Sequence, residues 1–317
     1  HIKEEILQYY PTAEQPATLY KRHYDSQNDV SVIDFGESIS DPELKIALKS
    51  FTLKNTTLLA AYDGLNFSFQ HFDNILYWFK DTLMGMLKPE TNLIDWAAMR
   101  YHRFSAEEQQ KSRSFALNLL QQADFNIVDF SVKIEHKPVP EGLAKAIRDN
   151  NELPEEAKQR ILSEGFSSVE DVSFTHQIQE GSFVLSIKEQ SGGTQQYYGL
   201  AFLLELLLQN KILPVDEFET SLHPDLLDHF LRTFLLNSQQ SQLIFTTHQR
   251  ELLQEEHLRL DNFYFCQKDD KTAASSLYSA FDFDDLSREE LYQSYKLGKL
   301  RAVPRLGSIF LPTPKNS

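Results

Sequence analysis

The strongest constraint on the fold is the change of texture after about residue 166, where short apolar runs alternate with helical ones. A hairpin is read there from Val172 to Gln179 and Ser182 to Lys188, around Glu180-Gly181. It is followed by a helix from Gln195 to Gln209, an apolar strand from Ile212 to Val215, a helix from Pro224 to Leu236 opened by Ser221 and Pro224, and a second apolar strand from Gln242 to Thr246. Apolar strands separated by helices cannot be joined by tight turns, so they pair in parallel with the helices as crossovers. The expectation is an α/β fold, a mostly parallel sheet with flanking helices. The most apolar stretch, Leu200 to Leu213, is interrupted by Glu205, Gln209, Asn210 and Lys211. It falls short of the roughly 20 apolar residues of a membrane span, so no membrane partner is expected.

Upstream the patterns differ. Residues 5 to about 60 alternate β-type runs, Ile6 to Tyr10, Thr18 to Arg22, Ser31 to Phe35 and Thr56 to Ala60, with turn-forming patches after Tyr10 and Tyr24. From 66 to 165 apolar residues recur three and four apart, as in Phe72 to Phe79 and Ser105 to Leu120, and Ser105 with Glu108 predicts a capping box. A strand from Ile127 to Lys133 interrupts this region, and Glu141 to Gly165 reads as a polar, exposed helical arm. The chain divides into residues 1–65, β-rich; 66–165, a helical insertion; and 166–317.

Charge and cysteine content narrow the function classes. With 31 Lys+Arg against 46 Asp+Glu the formal charge is −15, which excludes a generally basic nucleic-acid coat. Five basic residues and no acid follow Glu290, namely Lys296, Lys299, Arg301, Arg305 and Lys315, and they leave room for a local contact with a partner protein or a phosphate backbone. A single cysteine, Cys266, excludes a disulfide scaffold and is read as a small buried hydrophobe in an aromatic strand-like run. The reducing cytoplasm is the expected compartment. The first residues lack the basic and apolar regions of a signal peptide and read as the inside of a protein.

Three elements carry chemistry. Ile212-Leu213-Pro214-Val215 ends in Asp216-Glu217, placing two carboxylates at the carboxyl edge of a parallel sheet, where ligands bind in such folds. Such an edge suits Mg²⁺ on the first carboxylate and a water oriented by the second, although acidic strand ends are also common without either. Ser191-Gly192-Gly193-Thr194 stands just before a helix, 23 residues from Gly193 to Asp216; on its own it reads as a turn with a helix cap, and the alternative is an anion cradle of free N–H groups. Gln242 to Thr247 delivers His248 to the same edge, 31 residues after Glu217.

In this order and spacing the three resemble the signature motif, Walker B and switch histidine of ABC-type ATPase heads, in the SMC/RecF/OLD-like branch. The run from Asp216 to Pro224, with Ser221-Leu222-His223-Pro224 after the acidic pair, is similar to that branch's Walker B and D-loop. The resemblance extends to ATPases of bacterial abortive-infection and anti-phage operons, through Ser191 to Thr194, Thr246 to His248 and Gly298 to Pro304. It implies ATP and Mg²⁺ as cofactors: Asp216 as metal ligand, Glu217 as the residue that activates water, His248 as γ-phosphate sensor, and Ser191, Gly192, Gly193 and Thr194 as contacts to a nucleotide held by a second subunit. It also implies a homodimer closed by an ATP-sandwich interface and a separate effector chain, a nuclease or toxin. On this reading 1–65 is a remnant of the amino-terminal ATPase lobe and 166–317 the catalytic lobe. Alternatives are a non-hydrolytic nucleotide-gated scaffold and an SMC/RecF-like DNA-repair ATPase.

Two departures stand out. No window fits the P-loop pattern G-x-x-x-x-G-K-[ST]; the resemblance places that loop ahead of a β-hairpin region, hence upstream of His1, and the 317 residues alone are expected to be inactive. Pro214 lies within the Walker B strand, where it removes a ladder donor, which predicts a bulge or a later strand start.

Overall fold

A computed structural model describes residues 2–12, 15–150, 153–269, 271–283 and 285–303, and of Arg160, Glu164, Phe166 and Ser167 the backbone alone. The chain forms two compact units, His1–Met84 and Gly85–Ser317. The first begins with an antiparallel meander of β1 (Glu4–Thr12), β2 (Gln15–Asp25) and β3 (Val30–Phe35). Three short helices follow, α1 (Pro42–Phe51), α2 (Leu58–Asp63) and α3 (Gln70–Tyr77). Leu19, Tyr20, Ile33, Ile39, Leu44, Leu48, Leu58, Tyr62 and Phe72 form its core. Beside that core Arg22 is 1% exposed. A buried guanidinium is tolerable only when paired and hydrogen-bonded. Arg22 meets Glu5 at 3.2 Å, Ser31 Oγ at 3.0 Å and the Leu53 carbonyl at 2.7 Å.

Thr56 to Ala60, expected to be extended, instead opens α2. Thr57 caps it by accepting the Ala60 N–H, and the Leu-Leu-Ala-Ala run after it favours helix.

In the second unit α4 (Leu93–Arg103) and α5 (Ala106–Gln122) come first, α5 opening with the expected Ser105/Glu108 capping box. Arg100 lies over the rings of Trp96 and Phe104, at 5.9 and 4.9 Å to the centroids. A three-stranded antiparallel sheet is built from β4 (Ile127–Lys137), β5 (Phe166–Ile178) and β6 (Gly181–Ser186). Between β4 and β5 the polar stretch forms two helices, α6 (Glu141–Asp149) and α7 (Glu155–Glu164). It is not wholly solvated: Ala144 and Lys158 are buried, and Lys158 Nζ donates to Glu155 at 2.6 Å and to the Arg148 carbonyl at 3.2 Å.

The central helix is α8 (Gly192–Leu207), buried on nearly every face from Tyr197 to Leu204. A helix apolar all round must be enclosed, and here α4 and α5 pack on it. Gly199 permits the crossing with α4: a Cβ there would lie 2.5 Å from Leu93 Cβ. After it come β7 (Ile212–Val215), α9 (Pro224–Asn237) and β8 (Gln242–Phe245), with β7 and β8 parallel as the alternation predicts. The expected α/β class is observed, and its sheets are of both kinds, parallel at β7–β8 and antiparallel elsewhere among the described residues.

The chain continues as an antiparallel hairpin of β9 (Tyr264–Lys268) and β10 (Ser275–Ser279), then α10 (Arg288–Lys296), around Leu253, Phe265, Ala280, Leu291, Tyr292 and Leu300. Cys266, expected to be buried, is exposed. Strand alternation explains the correction: Phe265 takes the inward position, so its neighbour faces outward. Pro304, Arg305 and Lys315 of the carboxy-terminal motif and basic segment lie outside the described residues. Among the described residues no helix is long and apolar enough to cross a membrane.

Candidate functional site

β7 and β8 run in register from Ile212 opposite Gln242 to Val215 opposite Phe245, so both release their chains at one edge. Asp216-Glu217 and Thr246-Thr247-His248 therefore emerge side by side. Thr246 ties them together. Its N–H donates to the Val215 carbonyl at 3.0 Å, and its carbonyl accepts the Phe218 N–H at 3.1 Å. Its hydroxyl accepts the Glu217 N–H at 2.9 Å and donates to Asp216 Oδ1 at 2.5 Å. A hydroxyl can serve both roles at once.

Held this way, Glu217 takes φ of 48°, in the left-handed region. That conformation costs a non-glycine residue about 1–2 kcal/mol and persists only where surrounding bonds impose it. The loop beyond is equally fixed. Thr220 donates its N–H and its hydroxyl to the Glu217 carbonyl at 3.0 and 2.8 Å, Leu222 N–H reaches the Glu219 carbonyl at 2.8 Å, and Phe218 is buried against Phe230 and Phe245. Glu219 accepts the His248 N–H on Oε1 at 2.7 Å, while its Oε2 is buried with no hydrogen-bond partner. Asp216 is half-buried, and Glu217 and His248 are exposed.

Pro214 fits without a bulge. On the β8 side the bonds use Lys211 and Val215, whereas Pro214 and Asp216 face Leu87: the Leu87 N–H meets the Pro214 carbonyl at 2.9 Å, and the Asp216 N–H meets the Leu87 carbonyl at 2.8 Å. Pairing on that side is a single bridge between Leu87 and Val215, so the missing donor interrupts no ladder. The strand also starts where expected, at Ile212.

Ser191 is the N-cap of α8, accepting the Thr194 N–H at 3.1 Å with the two hydroxyls 2.8 Å apart. This helix start abuts the loop after Glu217: a Cβ on Gly192 would stand 3.7 Å from Ser221 Cβ, and one on Gly193 3.4 Å from the Ser221 carbonyl. Neither glycine is demanded by packing within the chain, and Ser191 and Gly192 are exposed. A crevice beside Asp216 and Glu217 is lined further by Lys88, Thr91, Gln196 and Thr220.

The structure thus gathers Asp216, Glu217 and His248 at one edge and sets Ser191 to Thr194 against the adjoining loop. Sequence reasoning gave Glu219 no role of its own and missed the lining residues Lys88 and Gln196. A polar side chain two residues past an acidic pair was the only available sign of Glu219. Among the described residues His223, Asp225, Asp228 and His229, though close in sequence, do not form one ligand cluster. His223 Nδ1 caps α9 by accepting the Asp225 N–H at 3.3 Å, and Asp228 pairs with Arg232 at 2.6 Å. His229 Nδ1 lies 2.5 Å from the Tyr197 hydroxyl. Burial lowers the His229 pKa and raises that of Tyr197, which favours the neutral imidazole and the protonated phenol.

Residues 97–254 match a family described as "AAA domain, putative AbiEii toxin, Type IV TA system". No curated protein matches the chain. Similar solved structures include the SMC head domain from Thermotoga maritima, 12% identical with a TM-score of 0.37, covering 87% of this chain and 72% of that one. An Smc head domain with a coiled coil and joint from Pyrococcus yayanosii is 15% identical with a TM-score of 0.34, covering 60% of this chain and 29% of that one. An Smc head domain with an extended coiled coil, bound to the C-terminal domain of ScpA, from Pyrococcus furiosus is 12% identical with a TM-score of 0.32, covering 92% and 76%. The matched segment holds the Ser191–Thr194 run, the Asp216-Glu217 pair and His248, so residues 97–254 are similar to this AAA-domain family across all three of these elements.

Proposed function

We propose that the β7–β8 edge is the Mg²⁺-ATP end of a dimeric nucleotide switch that acts on a partner effector in anti-phage defence. The observation that carries this reading is the Thr246 hydroxyl, which binds Asp216 and Glu217 into one unit at paired strand ends. The donor set fits Mg²⁺, being all oxygen: the Asp216 and Glu217 carboxylates and the Thr246 hydroxyl. When bound, the ion neutralises charge on the transferring phosphoryl group. Asp216 holds it, with Oδ1 oriented by Thr246. Glu217, exposed beside Asp216, orients the attacking water and accepts its proton. His248, fixed at its backbone by Glu219, senses the γ-phosphate. Ser191 and the free N–H groups of Gly192 and Gly193 are offered to a nucleotide on a second copy. This reading requires a phosphate-cradling P-loop, and no window of the 317 residues fits that pattern.

The test is ATP turnover and ATP binding in a product that carries the P-loop. Glu217→Gln is expected to lower kcat by at least about 100-fold with ATP affinity retained. Turnover equal to wild type would remove Glu217 from the mechanism. Turnover by residues 1–317 alone would remove the need for a P-loop.

A further inference from the structure

Away from that edge, Asp228 in α9 meets Glu255 and His257, which lie beyond the turn after His248. One ligand atom from each of the three lies within 4.8 Å of the others. Three observations indicate that they converge on something other than one another. His257 Nε2 is 3.2 Å from Asp228 Oδ1, and Nδ1 is 3.7 Å from Glu255 Oε2. Despite that proximity, both ring nitrogens and Asp228 Oδ1 are withdrawn from solvent and make no hydrogen bond. Arg232 pairs with both carboxylates, its Nε on Asp228 Oδ2 at 2.6 Å and its Nη2 at 2.9 Å on Glu255 Oε2, the same oxygen that faces His257.

Buried polar atoms without partners are costly, about 1–3 kcal/mol each, and three in one cluster mark a missing one. Ligand bonds of about 2.0 Å in tetrahedral geometry place neighbouring donors about 3.3 Å apart, close to the spacing of Nε2 and Oδ1. Arg232 fills the part that outer partners play in metal centres, fixing the orientation of ligating carboxylates. The backbone bearing Glu255 and His257 is itself held, because Arg288 Nη1 donates to the Leu253 and Glu255 carbonyls at 3.0 and 2.9 Å and Nη2 donates to the Leu258 carbonyl.

We propose that Asp228, Glu255 and His257 bind a divalent transition-metal ion of the Zn²⁺ class as a structural clip between α9 and the segment following His248. An imidazole with two carboxylates suits such an ion, whereas Mg²⁺ prefers all-oxygen sites.

The experiment is Zn²⁺ titration of the purified, metal-stripped 317-residue chain by calorimetry, with Co²⁺ absorption as the spectroscopic probe and excess Mg²⁺ present to occupy oxygen-only sites. One equivalent is expected to bind, raising Tm, and Co²⁺ is expected to give intense visible bands of a four-coordinate centre. His257→Ala and, more conservatively, Glu255→Gln are each expected to weaken Zn²⁺ binding on the order of 100-fold. Absence of stoichiometric binding, or binding undiminished in a variant that remains folded, would overturn the proposal. If His257→Ala fails to fold, Glu255→Gln and the wild-type Co²⁺ spectrum decide it.

Discussion

At the scale of single residues, the candidate site depends on Thr246 more than its exposure suggests. Removing its hydroxyl leaves the Glu217 N–H without its acceptor and Asp216 Oδ1 without its donor, while the strand bonds through the Thr246 backbone survive. Thr246→Val is therefore expected to lower ATP turnover at least about tenfold and stability by only about 1 kcal/mol, with Thr246→Ser restoring both. Parallel measurements of turnover and urea unfolding check this; a stability loss without an activity loss would make Thr246 purely structural. Asp216, Glu217 and His248 were singled out in the sequence by their order and spacing, because acidic or imidazole side chains at strand ends are individually common. Thr246 appeared only as a member of its run, since nothing in a Thr-Thr-His string says which hydroxyl turns back to the neighbouring strand. The Asp228, Glu255 and His257 cluster was illegible for a related reason: its members lie up to 29 residues apart in sequence, with no spacing that announces them.

At the scale of elements, helices α8 and α9 are joined by the Tyr197–His229 hydrogen bond, and burial keeps His229 below the ordinary imidazole range. The unfolded chain binds a proton there more readily than the folded one. Stability from this group is thus present above the ordinary histidine pKa of about 6.5 and is lost as pH falls through it. Unfolding midpoints in urea at pH 7.5 and 5.5 should fall more for wild type than for His229→Gln; equal losses would assign the pH dependence elsewhere. Elements from β5 to β8 were readable because their periods are regular and their breaks are marked by glycine or proline. The first unit was harder. Leu58-Leu59-Ala60-Ala61 has no two-residue alternation, and only the Thr57 cap distinguishes it from a short apolar strand. Pro214 misled in the other direction, because sequence does not reveal which side of a strand carries the ladder.

For the whole molecule, charge is the dominant long-range term. Forty-six acidic against 31 basic side chains leave the folded chain repelling itself, and salt screens that repulsion over a Debye length that shortens from about 20 to 7 Å between about 20 and 200 mM. Tm is expected to rise by about 2–5 °C across that range. A fall would mean that attractive pairs such as Glu5–Arg22 outweigh the net repulsion. The left-handed backbone at Glu217 has its own consequence for how such a chain can change. A glycine there would relieve the conformational penalty and delete the carboxylate in a single substitution. Drift toward a sturdier protein at this position therefore runs toward one that has lost the group proposed to handle water, so selection for endurance and selection for turnover pull against each other at one codon.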